Sequence, residues 1–91
     1  MIQLEARVYR GERIVAQAVT PLEGDEDGFV PALERALRRL LRDLDLPLPL
    51  WLHKNSREFA RFHVTIFFPG QFTETVDFDR LQLRLLEMEA V

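Results

Sequence analysis

Residues 51–63, Trp51-Leu52-His53-Lys54-Asn55-Ser56-Arg57-Glu58-Phe59-Ala60-Arg61-Phe62-His63, concentrate the side chains of this 91-residue chain that could do chemistry. The only Trp, Lys, Asn and Ser and both His lie here, while every other cationic side chain is Arg. Several reactions use such groups. His53 or His63 could serve as base to Ser56, with an acid such as Asp79 behind it. Glu58 with His63 could transfer protons. His53, His63, Asp77 and Asp79 are potential metal ligands. Lys54, Arg57 and Arg61, interleaved with Trp51, Phe59 and Phe62, could neutralise phosphates while rings stack on bases. They could equally hold carboxylates of a protein partner, with Arg as a two-pronged donor.

Spacing removes most of these. No G-x-S-x-G elbow surrounds Ser56, and a helix-capping hydroxyl accounts for it better. The histidines are ten positions apart rather than in H-x-x-x-H register, and Asp77-Phe78-Asp79 lacks the further acids of a calcium loop. With no cysteine there is no thiolate ligand, thiol nucleophile or disulfide. The four glycines are scattered, so no phosphate-cradling loop exists, and Pro47 and Pro49 lack P-x-x-P spacing. No catalytic residue, cofactor or metal is assigned.

The expectation is a non-enzymatic domain that binds a macromolecular partner, a protein, through residues 51–63. Lys54, Arg57 and Arg61 would donate charge, Asn55 and His63 would read polar groups, His53 and Glu58 would complete the surface, and Trp51 would anchor it to the core. Single-stranded nucleic-acid binding by the same residues is the alternative, and a small hydrolytic or metal-dependent enzyme ranks third. A purely structural account competes with all three. In it Trp51, Phe59 and Phe62 are core, Asn55 and Glu58 form a helix cap, and Arg61 pairs with Asp77 or Asp79.

Composition sets the frame. Apolar residues at 47%, charged residues at 30% and a net charge of −3 are those of a globular domain with no strong field for nucleic acid or membrane. Ninety-one residues suffice for one domain. Met1-Ile2-Gln3-Leu4-Glu5 does not read as a signal peptide, and no apolar run approaches the ~20 residues of a membrane span. A cytoplasmic protein without a membrane partner is expected.

Alternation at Ile2, Leu4, Ala6 and Val8 predicts a first strand, and Arg10-Gly11-Glu12 a turn. Ile14–Thr20 reads as a second strand apolar on both faces, hence central or covered on each side. The acidic loop Pro21–Gly28 leads into a helix, with Asp25 or Asp27 as cap and Pro31 in the first turn. Leu33, Leu37, Leu40 and Leu44 recur at helical spacing, and Pro47 and Pro49 require the helix to end by Asp45 or Leu46. A turn of helix is possible over Asn55–Arg61. The third strand reads Arg61–Phe68, with Phe62, Val64, Ile66 and Phe68 on one face, and the fourth reads Arg80–Leu86. The fold expected is α+β, ββαββ: an antiparallel four-stranded sheet with one long helix on one face. The uncovered face would then carry Tyr9, Ile14, Phe67 and Leu86, an apolar group suited to homodimerisation.

The run Trp51-Leu52-x-Lys54-Asn55-x-x-Glu58-Phe59-Ala60-Arg61-Phe62, with Phe68, Gln71-Phe72 and Phe78-Asp79-Arg80 behind it, resembles a family of small bacterial proteins of unassigned function. The resemblance covers residues 46–86 best; the N-terminal hairpin and helix match in pattern only. It implies a cytosolic stand-alone domain of about this length and brings no activity, substrate or catalytic residue.

Overall fold

Four antiparallel strands form a sheet in the order β2-β1-β4-β3, with two helices on one side. The structure, a computed structural model, describes residues 2–23 and 28–87. β1 (Ile2–Arg10) and β2 (Arg13–Pro21) form a hairpin, joined through Gly11, whose φ of 62° is costly for residues with a Cβ. Helix α1 is Phe29–Asp43, helix α2 is His53–Phe62, β3 is Val64–Phe67 and β4 is Arg80–Glu87. β1 and β4 are the central pair, in register from Ile2 opposite Glu87 to Tyr9 opposite Arg80.

Period-two burial selects the inner face. Leu4, Ala6 and Val8 on β1, Leu81 and Leu83 on β4 and Phe67 on β3 are nearly inaccessible to solvent. Over them lie Leu33, Ala36, Leu37, Leu40 and Leu41, the apolar stripe of α1, and Phe59 of α2. α1 stops where the prolines require. Asp45, at φ 56°, closes it in the left-handed conformation, with Asp45 N–H bonding to the Arg42 carbonyl and Leu46 N–H to the Leu41 carbonyl. Its N-cap position is Gly28; the capping residues expected there, Asp25 and Asp27, lie outside the described residues.

Four expectations are corrected. There are two helices rather than one: the segment expected to hold a single turn forms the ten-residue α2, which shortens β3 to four residues. Phe67 does not belong to the open face; it is fully buried on the helix side, opposite Leu81. Thr65 and Phe67 point inward, and Val64 and Ile66 take the open face, because hydrogen bonds from α2 draw Thr65 in and Trp51 packs on Phe67. Tyr9 and Leu86 are half-buried and Ile14 is exposed. Arg61 does not pair with Asp77 or Asp79. Arg10 binds Asp77 at 3.1 Å, and the Asp79 carboxylate accepts the Gly11 N–H, so the loop before β4 clamps the β1–β2 turn. Finally, β2 is an edge strand despite its two apolar faces.

On the open face Glu5 is buried although it carries charge, and Arg7 Nε lies 3.0 Å from its carboxylate. Hydrogen bonding to Tyr9, then the Glu5 charge, holds the Arg7 guanidinium above its ordinary pKa. No helix among the described residues is long and apolar enough to cross a membrane.

Candidate partner-binding site

The connector after α1 is extended, and it is pinned by Leu50 N–H to the Gln71 carbonyl at 2.6 Å and by a bridge between Pro49 and Phe72. It delivers the chain to Leu52, the N-cap of α2, whose side chain cannot accept a hydrogen bond. The cap is therefore supplied from inside the helix. Asn55 Oδ1 accepts the Leu52 N–H at 2.9 Å. The same device recurs sixteen residues on: Gln71 Oε1 accepts the Phe68 N–H at 3.1 Å and ends β3 in a 3-10 turn over Pro69–Gln71.

The two amides meet. Gln71 Nε2 donates to Asn55 Oδ1 at 3.0 Å and to the Leu50 carbonyl at 3.1 Å. Asn55 Nδ2 donates to Thr65 Oγ1 at 2.7 Å and to the Ile66 carbonyl at 3.2 Å. The Thr65 hydroxyl in turn donates to Glu58 Oε1 at 2.7 Å. Asn55 is wholly buried, and all its amide capacity is used, the condition on which a buried polar network is stable. Lys54 joins the network: Nζ lies 2.8 Å from the Ile66 carbonyl, 3.8 Å from Glu58 and 5.1 Å from the Phe68 ring centroid.

The proposed contact residues thus fall into two groups. Lys54, Asn55 and Glu58 bind α2 to β3, so their polar groups are engaged within the protein. His53, Arg57, Arg61 and His63 are exposed. His53 opens α2 and His63 closes it, ~15 Å apart along a helix of this length, so they do not converge. His63 is the helix-ending residue at φ 59°; its N–H bonds to the Phe59 carbonyl and its carbonyl to the Leu85 N–H. Its clearest role is backbone geometry. Among the described residues no three His, Asp or Glu side chains are placed to share a metal ion. Ser56 faces neither histidine as a nucleophile would; its hydroxyl accepts the Trp51 Nε1–H at 2.8 Å.

The three aromatics also separate. Phe59 is core, Trp51 packs edge-on against Phe59 and tilted on Phe67 while staying 36% exposed, and Phe62 is 63% exposed beneath Arg61. Trp51 forms part of a groove between α1 and α2, with a volume of about 460 Å³. Val30, Leu33 and Leu37 line one wall, Ser56, Phe59 and Ala60 the other, and Leu48, Pro49 and Trp51 the floor and end. Its few polar groups are Ser56 and the Glu34–Arg38 ion pair, at 3.0 Å. Phe29 and Val30, half and 71% exposed, stand at the mouth. On the helical wheel His53 and Arg57 follow Ser56 and Ala60 around α2, which sets cationic or ionisable side chains along that rim.

The groove was not anticipated from the sequence. A signal existed: Phe29 and Val30 continue the Leu33-Leu37-Leu40 stripe at helical spacing but stay exposed beyond the part the sheet covers, and Leu48 adds exposed apolar surface in the connector. Comparison with protein-family models, curated proteins and solved structures gives no match, so the site is read from its geometry.

Proposed function

We propose that this protein is a non-enzymatic binding module that holds an apolar segment of a protein partner between α1 and α2. The observation that carries the reading is the groove. Phe29, Val30, Leu48 and Trp51 leave large apolar surfaces open side by side, and contiguous exposure of this kind marks interaction sites. Two turns of α1, from Val30 to Leu37, form one wall. A wall of that length suits an amphipathic helix that presents residues at i, i+3 or i+4 and i+7. Arg57 favours carboxylates on the flank of that helix, with Arg61 one turn further along α2. The basic-aromatic segment keeps its place in this reading, but as one rim and one wall of a groove rather than as a continuous patch. Single-stranded nucleic acid fits less well, since Lys54 is turned inward and Arg57 and Arg61 remain as the cations of the segment.

A pull-down from native extract, with and without nuclease, tests this. The baits are wild type, Val30→Glu and Arg57→Ala/Arg61→Ala. Support is one protein recovered from both halves, lost with Val30→Glu and weakened by the double variant. Recovery of RNA or DNA, or of proteins only in the untreated half, overturns it. Trp51, the sole tryptophan, then reports occupancy of the groove by its fluorescence.

A further inference from the structure

The sequence of β2 and its position disagree. Ile14, Val15, Ala16, Ala18 and Val19 give it apolar side chains on both faces, the composition of an interior strand. Yet β2 ends the sheet, its outer backbone edge unpaired among the described residues, with Ile14, Val15 and Val19 each almost half exposed. Edge strands are ordinarily defended by charged side chains, proline or a bulge. Between Arg13 and Pro21, β2 contains no charge or proline, and its bulge lies at the start of the strand.

The undefended stretch has definite limits. Its pairing with β1 slips near the start, where Tyr9 lies opposite Ile14 and Val8 opposite Ala16, leaving Val15 as the extra residue of a bulge. At the other end Pro21 has no N–H to offer. Between these limits runs Val15-Ala16-Gln17-Ala18-Val19, which reads the same in both directions. Turned antiparallel about Gln17, the segment meets itself like to like: Val15 opposite Val19, Ala16 opposite Ala18, Gln17 opposite Gln17. A two-fold axis at Gln17 repeats each contact reciprocally, and here every such pair is apolar with apolar or amide with amide, so no charge is set against the partner strand.

We propose that the β2 edge pairs with a second copy of this chain, antiparallel about Gln17. Two four-stranded sheets then become one of eight strands, and β2 becomes the interior strand its composition describes. The valines form two β-branched cross-strand pairs on the open face. Ala16 and Ala18 lie on the helix side, where they leave room for the approach. Charge fits as well. Antiparallel pairing carries Arg13 of one copy to the strand end where exposed Glu23 of the other emerges. It also keeps the two Arg13 side chains ~26 Å apart. Neither the groove nor α2 takes part, so this proposal stands or falls independently of the partner-binding reading.

The absence of cysteine makes the test clean. Residues directly opposite in antiparallel strands have Cα atoms ~4.5–5.5 Å apart, within disulfide range. Gln17→Cys should therefore oxidise readily to a covalent dimer. Val15→Cys and Val19→Cys should each cross-link poorly alone, their copies being ~13 Å from themselves, and efficiently when mixed. In sedimentation equilibrium the wild-type mass should rise from monomer to dimer over a ~100-fold concentration range. Gln17→Lys, an exposed site where two ammonium groups would face each other, should stay monomeric and unfold cooperatively at a Tm that does not vary with protein concentration. The proposal is overturned by a wild type that remains monomeric to roughly 1 mM, by equal cross-linking at 15, 17 and 19, or by a Gln17→Lys protein that still dimerises.

Discussion

Replacing Asn55 by alanine removes four hydrogen bonds at once: those to Leu52 N–H, Gln71 Nε2, Thr65 Oγ1 and the Ile66 carbonyl. The four losses are unequal. Thr65 keeps Glu58 and the Ile66 carbonyl keeps Lys54, so those two ends retain a partner. Leu52 N–H and one proton of the Gln71 amide do not. At about 1 kcal/mol for an ordinary hydrogen bond and up to about 3 for a buried group left unpaired, the net loss should be about 3 kcal/mol. For a domain of this size each kcal/mol moves Tm by roughly 4–8 °C, so the midpoint should fall by roughly 12–24 °C. Urea unfolding followed by Trp51 fluorescence and by circular dichroism measures it. The comparison is His53→Ala, two residues away on the exposed side, which should change stability by less than about 0.5 kcal/mol. Asn55→Asp sharpens the test. It keeps both acceptor roles but sets a buried carboxylate against the Ile66 carbonyl and Glu58, which raises its folded pKa above the unfolded ~3.9. The stability of that variant should thus be fullest below ~pH 4 and be lost as pH rises through the folded pKa. A loss under about 1 kcal/mol for Asn55→Ala, or an Asn55→Asp protein that gains stability with rising pH, would refute the account of the amide network.

Four further outcomes follow from the same geometry. Phe67→Lys should fail to fold or lose more than about 4 kcal/mol, because it buries an unpaired charge at a fully enclosed site; a stable monomer by circular dichroism would contradict the assigned strand face. His63→Gly should raise stability by roughly 0.5–1 kcal/mol in urea melts, since φ 59° is strained for a residue with a Cβ. Asp77→Ala should cost less than about 0.5 kcal/mol, because the Arg10–Asp77 pair is open to solvent on both sides. Binding of the partner should weaken only modestly with added salt if apolar contact dominates. A steep linear fall of log K with log salt, flattened by Arg57→Ala, would instead indicate phosphates.

The strands and α1 were legible because each has a burial period that the sequence states directly: two for Leu4-Ala6-Val8 and Leu81-Leu83, and 3.6 for Leu33-Leu37-Leu40. α2 was underestimated because its helical face is polar where it packs. Asn55 and Glu58 bury hydrogen bonds to β3 rather than methyl groups, and a hydropathy pattern is blind to that. The inner face of β3 was misassigned for the same reason. Phe62, Val64, Ile66 and Phe68 form an apolar alternation, yet Thr65 is the buried residue, drawn in by partners remote in sequence. Several of the rare residue types of 51–63 have structural work in the fold. Much of that work lies in caps and junctions, with Leu52 capped by Asn55, Trp51 held by Ser56 and His63 ending the helix. The groove forms where α1 meets α2, and its only local trace is the exposed apolar surface of Phe29, Val30 and Leu48.

The central strands of the sheet are the first and the last, and this fixes the order in which the protein can be built. Ile2 pairs with Glu87, eighty-five positions away, so the loop that β1–β4 pairing must close spans nearly all of the described chain. The β1–β2 hairpin can form early, since its turn is local, and α1 can cover its inner apolar row, Leu4-Ala6-Val8, but the other edge of β1 has no partner until residues 80–87 arrive. Contacts this distant slow folding, because chain entropy must be given up before they form. During synthesis, then, the protein holds an incomplete sheet until β4 is made. In that interval β1 and β2 both present open edges, and quality control has the most to recognise.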